Sequence, residues 1–124
     1  MFFNSIRNIE IKYGTTRTVF LFRNLAIKIP NHVEWRLFLH GLLANMQETK
    51  FSKTGWPELC PILFSIPGGF LNIMKRARPL TREEFFSLNV DEWREKEDYI
   101  VPCENKLDNF GCLDGRIVTI DYGS

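Results

Sequence analysis

The first third of the chain alternates apolar and polar positions in short runs. Residues 9–13, 18–22 and 25–29 are rich in β-branched and aromatic side chains, which is typical of strands. The runs are separated by the turn residues 14–17 and by Arg23-Asn24. This pattern predicts three short strands joined by tight turns.

The hydrophobic period then changes from two to between three and four residues. Asn31 with Glu34 three positions later has the form of a capping box, and the helix that it opens is predicted to run to about Lys50. One apolar stripe follows along this helix: Trp35, Phe38, Leu39, Leu42 and Met46. We expect the stripe to face the core; the alternative is a partner surface.

The second half of the chain carries two hairpin signals. Residues 61–66 and 70–74 are apolar runs joined by Pro67-Gly68-Gly69, and residues 110–113 and 116–120 flank Asp114-Gly115. Between the hairpins, a capping box of Thr81 and Glu84 opens a short helix to about residue 88, and residues 91–98 are predicted to be weakly helical. The predicted fold is therefore α+β: a five-stranded antiparallel sheet with one main helix, short helices and a C-terminal β-hairpin.

Composition and charge narrow the class of protein. The chain has 124 residues, 44% hydrophobic and 25% charged, which fits one folded domain, and 11 phenylalanines argue against disorder. The net charge of +1 lacks the basic excess of a nucleic-acid-binding protein, so we expect no nucleic-acid partner and interpret the basic cluster at residues 75–78 as a solvated strand end.

The number and spacing of the cysteines and the lengths of the apolar runs indicate in which cellular compartment the protein is expected. Three cysteines without a CxxC spacing fit neither a disulfide framework nor a zinc site, so we expect reduced thiols and a cytoplasmic protein. Arg7, Glu10 and Lys12 interrupt any early apolar run, which argues against a signal peptide. The most apolar stretch, residues 59–74, contains two prolines and two glycines, so no membrane association is expected.

The tail of the chain carries the sharpest chemical signal. Asn109 precedes the first strand of the last hairpin and Asp121 ends the second, so both should lie at its open end. An amide oxygen and a carboxylate placed together can hold Mg²⁺. Lys106 is close enough in sequence to add a positive charge toward a phosphate.

These residues resemble the motifs of the protein-kinase-like fold. Lys106-x-x-Asn109 is similar to the end of the catalytic loop, Asp121-Tyr122-Gly123 to the metal-binding D-F-G, and Ala26-Ile27-Lys28 to the strand whose lysine holds the α- and β-phosphates. The resemblance implies ATP and Mg²⁺ as ligands. Residues 1–80 would correspond to the N-lobe, and residues 81–124 to short helices and the catalytic-loop hairpin.

The resemblance also assigns the other nucleotide contacts. Residues 14–17, which are Gly14, Thr15, Thr16 and Arg17, would stand in for the glycine-rich loop, and residues 75–79 would form the hinge that binds adenine, with Met74 directly before it. Glu48, 20 residues after Lys28, is the candidate for the helix glutamate that pairs with this lysine. Each residue has a plainer alternative, such as an exposed strand lysine for Lys28 or a turn residue for Asn109.

The departures from the family pattern concern catalysis. Glu104 stands where the catalytic aspartate belongs and Pro102 where the histidine belongs. The extra methylene of a glutamate displaces the carboxylate by more than ~1 Å, a shift that can cost about 100-fold in rate. The sequence also ends at Ser124, directly after Gly123, so the chain has the appearance of a truncated kinase whose C-lobe is missing.

Two functions are compatible with this pattern. The first is a small regulatory or inhibitory binding protein of the pseudokinase type, which holds ATP-Mg or no nucleotide and acts on a protein partner or on a second copy of itself. An uncovered underside of the last hairpin would then be its interaction surface. The second is a minimal phosphotransferase in which Glu104 orients an acceptor hydroxyl. A third possibility is an α+β domain whose similarity to kinases is accidental.

Overall fold

The structure, a computed structural model, describes residues 9–123, which form eight strands, three α-helices and a 3₁₀ turn. Arg7 and Ser124, which enter the sequence analysis, lie outside the described residues. The strands are β1 (Glu10–Tyr13), β2 (Arg17–Phe22), β3 (Leu25–Pro30), β4 (Ile62–Ile66), β5 (Leu71–Lys75), β6 (Arg78–Pro79), β7 (Phe110–Leu113) and β8 (Arg116–Thr119). The helices are α1 (Trp35–Ser52), α2 (Arg82–Ser87) and α3 (Val90–Arg94), with a 3₁₀ turn at Leu107–Asn109.

The strands form two antiparallel sheets. The first has five strands in the order β1-β2-β3-β5-β4, and α1 packs against its β3 strand. The second has the order β6-β7-β8, so the C-terminal hairpin is joined by a two-residue strand that the sequence did not predict. The α+β class, the five-stranded antiparallel sheet, the main helix and the C-terminal hairpin are confirmed.

The turn residues explain why the hairpins form where they do. Asp114 and Gly115 both have positive φ, 52° and 81°, the geometry of a two-residue turn that matches the twist of the flanking strands. Gly68 and Gly69 also have positive φ, 89° and 82°, in the β4–β5 connection. The predicted hairpins at residues 61–74 and 110–120 are therefore present.

Helix α1 differs from its prediction at its start. It begins at Trp35 after Glu34, and no side chain caps it. The predicted capping box of Asn31 and Glu34 is wrong: the Asn31 side chain accepts hydrogen bonds from the Val33 and Glu34 amides, but the Asn31 amide donates to the Thr16 carbonyl and not to the Glu34 side chain.

The apolar stripe of α1 does not form the core. Trp35 is 70% exposed and Met46 is 48% exposed, whereas the buried residues of the helix are Gly41, Ala44, Asn45 and Glu48. The expected orientation is wrong because the sheet beneath the helix presents buried polar groups, which small and polar helix residues match.

The underside of the last hairpin is also not as expected. Phe110 of β7 is buried, with its ring 5.9 Å from that of Phe85 on α2 and 5.5 Å from that of Trp93 on α3. The two short helices thus pack against Phe110, and Val118, on the opposite face of the hairpin, is fully buried as well, so the expectation of an uncovered underside is wrong. The capping box of Thr81 and Glu84 is present, whereas α3 is shorter than the predicted span 91–98.

Two further features concern the cysteines and the hydropathy of the helices. Cys60, Cys103 and Cys112 are all free thiols. Among residues 9–123, no helix has the length and apolar character needed to cross a lipid bilayer.

Candidate functional site

A cavity of about 830 Å³ lies between the two sheets, a size typical of small-molecule sites. Its upper wall comes from the first sheet and from the turn between β1 and β2, and its lower wall comes from residues 103–110 and 120–121. One part of the wall is apolar: Val19, Leu21, Ala26, Met74, Ala77, Leu80, Leu107, Phe110 and Ile120. The cavity therefore offers an apolar region and, beside it, a charged end.

Lys28 and Glu48 form the buried centre of the charged end. Lys28 Nζ lies 3.0 Å from each carboxylate oxygen of Glu48 and also donates to the carbonyl of Ile120 at 2.5 Å. Ala26 and Lys28 lie two residues apart on β3, so both project toward the same side of the sheet, where they line the cavity. The pair suggested by the 20-residue spacing is thus present.

Arg17 is the second cation of this cluster. Its guanidinium forms two hydrogen bonds with the Glu48 carboxylate, at 2.9 and 3.1 Å, and one with Asn45 Oδ1 at 3.1 Å. Nη2 also contacts Asp121 Oδ1 at 2.7 Å. Arg17, predicted to lie in the turn that stands in for the glycine-rich loop, begins β2, and its side chain is a buried part of the cavity wall fixed by three partners.

Burial and mutual attraction act in opposite directions on the pKa values of this cluster. Burial lowers the pKa of Lys28, with Arg17 adding to the effect and Glu48 opposing it. Burial acts to raise the pKa of Glu48, but Lys28 and Arg17 outweigh it and hold this pKa below its usual value. For Arg17, the attraction of Glu48 and Asp121 outweighs burial, and its pKa is raised. Glu48 is therefore ionised at neutral pH.

Each residue of Asp121-Tyr122-Gly123 is held by a different contact. Asp121 pairs with Arg17, the Tyr122 amide donates to Glu48 Oε2 at 3.2 Å, and the Tyr122 hydroxyl donates to the Cys60 carbonyl at 2.6 Å. A Cβ on Gly123 would collide with the carbonyl oxygen of Ala44 on α1. The Tyr122 side chain is thus held by a buried hydrogen bond, and Gly123 is required by close packing.

Asn109 and Asp121 both line the cavity, as the hairpin geometry predicted. The Asn109 side-chain Nδ2 donates to the Glu104 backbone carbonyl at 3.2 Å, and the Asn109 backbone carbonyl accepts from the Ile120 amide at 2.8 Å. Within residues 9–123, no three His, Cys, Asp or Glu side chains form a metal-binding group. The two predicted metal ligands are brought to one cavity, where Arg17 already occupies one oxygen of Asp121.

Glu104 and Lys106 lie at the rim of the cavity and pair with each other. The distance from Lys106 Nζ to Glu104 Oε2 is 3.0 Å, and the two side chains are 70% and 62% exposed. Such a surface pair contributes only about 0–1 kcal/mol, so it does not fix either group in place. Glu104, the predicted catalytic base, is therefore exposed to solvent and paired with a lysine, and no contact fixes it in an orientation for catalysis.

The remaining predicted contacts also line the cavity. The turn of Gly14, Thr15 and Thr16 is closed by a hydrogen bond from the Gly14 amide to the Arg17 carbonyl at 2.8 Å. Met74 is buried at the end of β5, directly before the predicted hinge. Every residue named individually as a nucleotide or metal contact therefore lines one cavity, and so do all residues of the predicted hinge 75–79 except Arg78.

Sequence reasoning missed the polar groups that join α1 to the sheet. The Asn45 side chain donates to the carbonyls of Lys28 and Gly69, and Asn72 donates to the carbonyl of Asn45. Asn45 and Glu48 lie three residues apart, on the same face of α1 as Gly41 and Ala44. This spacing of small and polar residues is the signal that could have identified the inward face.

Comparisons of this chain with protein-family models, with curated proteins and with solved structures find no match. The interpretation of the site therefore depends on the motifs and the geometry described above.

Proposed function

We propose that this protein binds a purine nucleotide in the cavity between its sheets and acts as a kinase-like binding or regulatory protein rather than as a phosphotransferase. The observation that carries the proposal is the Lys28–Glu48 pair, buried at the charged end of a cavity that also has an apolar region. This arrangement suits a ligand with a flat apolar base at one end and phosphates at the other.

The charge of the cavity wall supports an anionic ligand. Six lysine and arginine residues line the cavity against three acidic residues: Lys12, Arg17, Lys28, Lys75, Arg76 and Lys106 against Glu104, Asp108 and Asp121. The chain as a whole is close to neutral, so this excess is local. A concave surface lined mainly by one sign of charge raises the local concentration of oppositely charged ligands.

The state of the acidic residues supports binding over phosphoryl transfer. In phosphoryl transfer the protein forms no covalent bond to the substrate and accelerates the reaction mainly by positioning the reactants and stabilising charge. The catalytic side chains must therefore be held in place. Glu104 is exposed and paired with Lys106, and Asp121 is paired with Arg17. Neither carboxylate is held ready for an acceptor hydroxyl, so the minimal phosphotransferase ranks second.

The exposed apolar side chains support action through a protein partner or a second copy. They occur on the outer face of α1 and around β4: Trp35, Leu39, Leu43, Met46, Leu63, Phe64, Ile66 and Phe70. The rings of Phe38 and Phe70 lie 6.4 Å apart and connect the helix to the β4–β5 turn. Large exposed apolar patches mark interaction sites more often than single exposed residues do.

Thermal unfolding with added ATP tests the nucleotide site. A ligand at 100 times its Kd stabilises the folded state by about 2.7 kcal/mol, so millimolar ATP should raise the Tm of the wild type. Ala26→Phe should abolish the rise, because the ring would fill the cavity without removing a charge. Lys28→Met should also abolish it, and Lys50→Met, at an exposed site on α1, is the matched control.

Three outcomes would count against the proposal. The first is an unchanged Tm at millimolar ATP, and the second is the same rise in wild type and Ala26→Phe. The third is transfer of labelled phosphate to the protein or to an added acceptor, abolished by Asp121→Ala, which would put the phosphotransferase first. Far-UV circular dichroism of each variant establishes that it is folded.

A further inference from the structure

One feature of the cavity is still unexplained. The guanidinium of Arg17 lies against the carboxylate of Asp121, the residue predicted to bind a metal. Arg17 Nη2 lies 2.7 Å from Asp121 Oδ1, within the distance of a strong charge-assisted hydrogen bond. The Arg17 side chain is only 8% exposed, and the Glu48 carboxylate and Asn45 hold its other side. It is therefore a fixed part of the cavity wall and not a surface side chain that happens to lie nearby.

The residues present do not fit a magnesium ion. Mg²⁺ takes six oxygen ligands in near-ideal octahedral geometry and is bound through carboxylates and phosphates. Of the two candidate ligands, Asn109 is neutral, and Asp121 already shares its charge with a guanidinium. An ion bound to Asp121 would lie within a few ångströms of Arg17, where two positive groups repel strongly in a partly buried site.

We propose that the cavity binds its nucleotide without a divalent cation, and that Arg17 and Lys28, together with the excess of basic side chains around them, supply the positive charge that neutralises the phosphates. This inference rests on the proposed nucleotide site. Both cations line the cavity, and both are anchored by the same glutamate, which places them side by side. The guanidinium also offers the planar, multiple-donor geometry that suits phosphate oxygens.

The arrangement gives Asp121 a role different from metal binding. Its side chain is 42% exposed, and it faces the cavity mouth beside Arg17. Its Oδ1 accepts a hydrogen bond from Nη2 of the guanidinium. When a phosphate approaches, the carboxylate opposes it by charge and competes with it for the same nitrogen, so Asp121 weakens nucleotide binding.

Isothermal titration calorimetry of the full chain with ATP, once in EDTA and once in excess MgCl₂, tests the inference. We expect the wild type to bind ATP at least as tightly in EDTA as with Mg²⁺. Asp121→Asn should bind ATP roughly threefold more tightly in EDTA, because a negative charge near the phosphates is removed. A metal-dependent site would instead lose binding in this nearly isosteric variant.

Arg17→Gln provides the complementary variant. It should weaken ATP binding in EDTA by at least about tenfold and make binding respond to Mg²⁺, because Asp121 is then free to hold the ion. Circular dichroism checks the fold of this variant, and Asp121→Asn remains decisive should Arg17→Gln fail to fold.

The results separate this inference from the proposed function. ATP binding by the wild type only in Mg²⁺ would overturn the metal-free inference and leave the nucleotide site standing. Loss of binding in Asp121→Asn would do the same. ATP binding in neither buffer would overturn both, whereas equal or tighter binding in EDTA supports both.

Discussion

Glu48 is the residue on which the charged end of the cavity depends. One buried carboxylate accepts hydrogen bonds from Lys28, from Arg17 and from the Tyr122 amide. It therefore connects β2, β3, α1 and the end of the chain in a single cluster. A buried ion pair gives little net stability over an apolar core, but removal of one partner is costly because the other charges stay buried.

Glu48→Gln tests this dependence through the pH profile of stability. Lys28 and Arg17 hold the pKa of Glu48 below its usual value, so its contribution is present above about pH 4.5 and is lost as the pH falls through the lower folded-state pKa. The variant should be about 3–5 kcal/mol less stable at pH 7 and should lose less stability than the wild type on acidification.

Urea unfolding followed by circular dichroism between pH 3 and pH 7 measures both effects. The exposed Glu97→Gln is the matched control and should follow the wild type. Equal stability of Glu48→Gln and wild type at pH 7, or an identical acid slope, would show that Glu48 does not hold the cluster together.

Single residues also show which contacts of the site can be predicted from the sequence and which cannot. The spacing of Lys28 and Glu48 suggested their pairing, and the last hairpin placed Asn109 and Asp121 in one cavity. Arg17 could not be predicted as buried, because a charged residue after Gly-Thr-Thr has the appearance of a solvated turn. Its burial is decided by Glu48, 31 positions away in the chain.

Helix α1 shows, at the level of an element, which features the sequence predicts and which it does not. Its apolar period predicted the helix correctly, because that pattern is local. It predicted the wrong inward face, because the orientation depends on the polar groups of the sheet: Arg17, Lys28 and Asn72. The hairpins, by contrast, were predictable, since Asp114-Gly115 and the glycines of the β4–β5 turn determine their own geometry.

A matched pair of methionine substitutions tests the orientation of α1. Met46 is 48% exposed on the outer face of the helix and Met74 is buried in β5. Met46→Gln should change the free energy of unfolding by no more than about 0.5 kcal/mol, as surface substitutions usually do. Met74→Gln should cost several times more, roughly 2–5 kcal/mol, because it removes buried apolar contacts.

Urea denaturation of both variants against the wild type gives the two values. A loss of several kcal/mol in Met46→Gln would mean that the apolar stripe of α1 packs in the core, as the sequence suggested. The small and polar residues of the helix would then not form its inward face. Comparable losses in both variants would lead to the same conclusion.

At the scale of the whole molecule, the two sheets that enclose the cavity are joined by long-range backbone hydrogen bonds. The Cys60 amide donates to the Thr119 carbonyl at 3.0 Å, and the Thr119 amide donates to the Glu58 carbonyl at 2.8 Å. The Tyr122 hydroxyl adds a third connection at the Cys60 carbonyl. Apart from β6, the element order and the fold class followed from the sequence, whereas these long-range hydrogen bonds between the sheets did not.

Chemical-shift mapping of the ¹⁵N-labelled protein during an ATP titration tests the central claim most directly. We predict that the largest amide shifts fall on residues that line the cavity, among them Ala26, Lys28, Ala77 and Asp121, with saturation at millimolar ATP or below. Absence of amide shifts in the cavity at millimolar ATP, or shifts confined to the outer face of α1, would contradict a nucleotide site between the sheets.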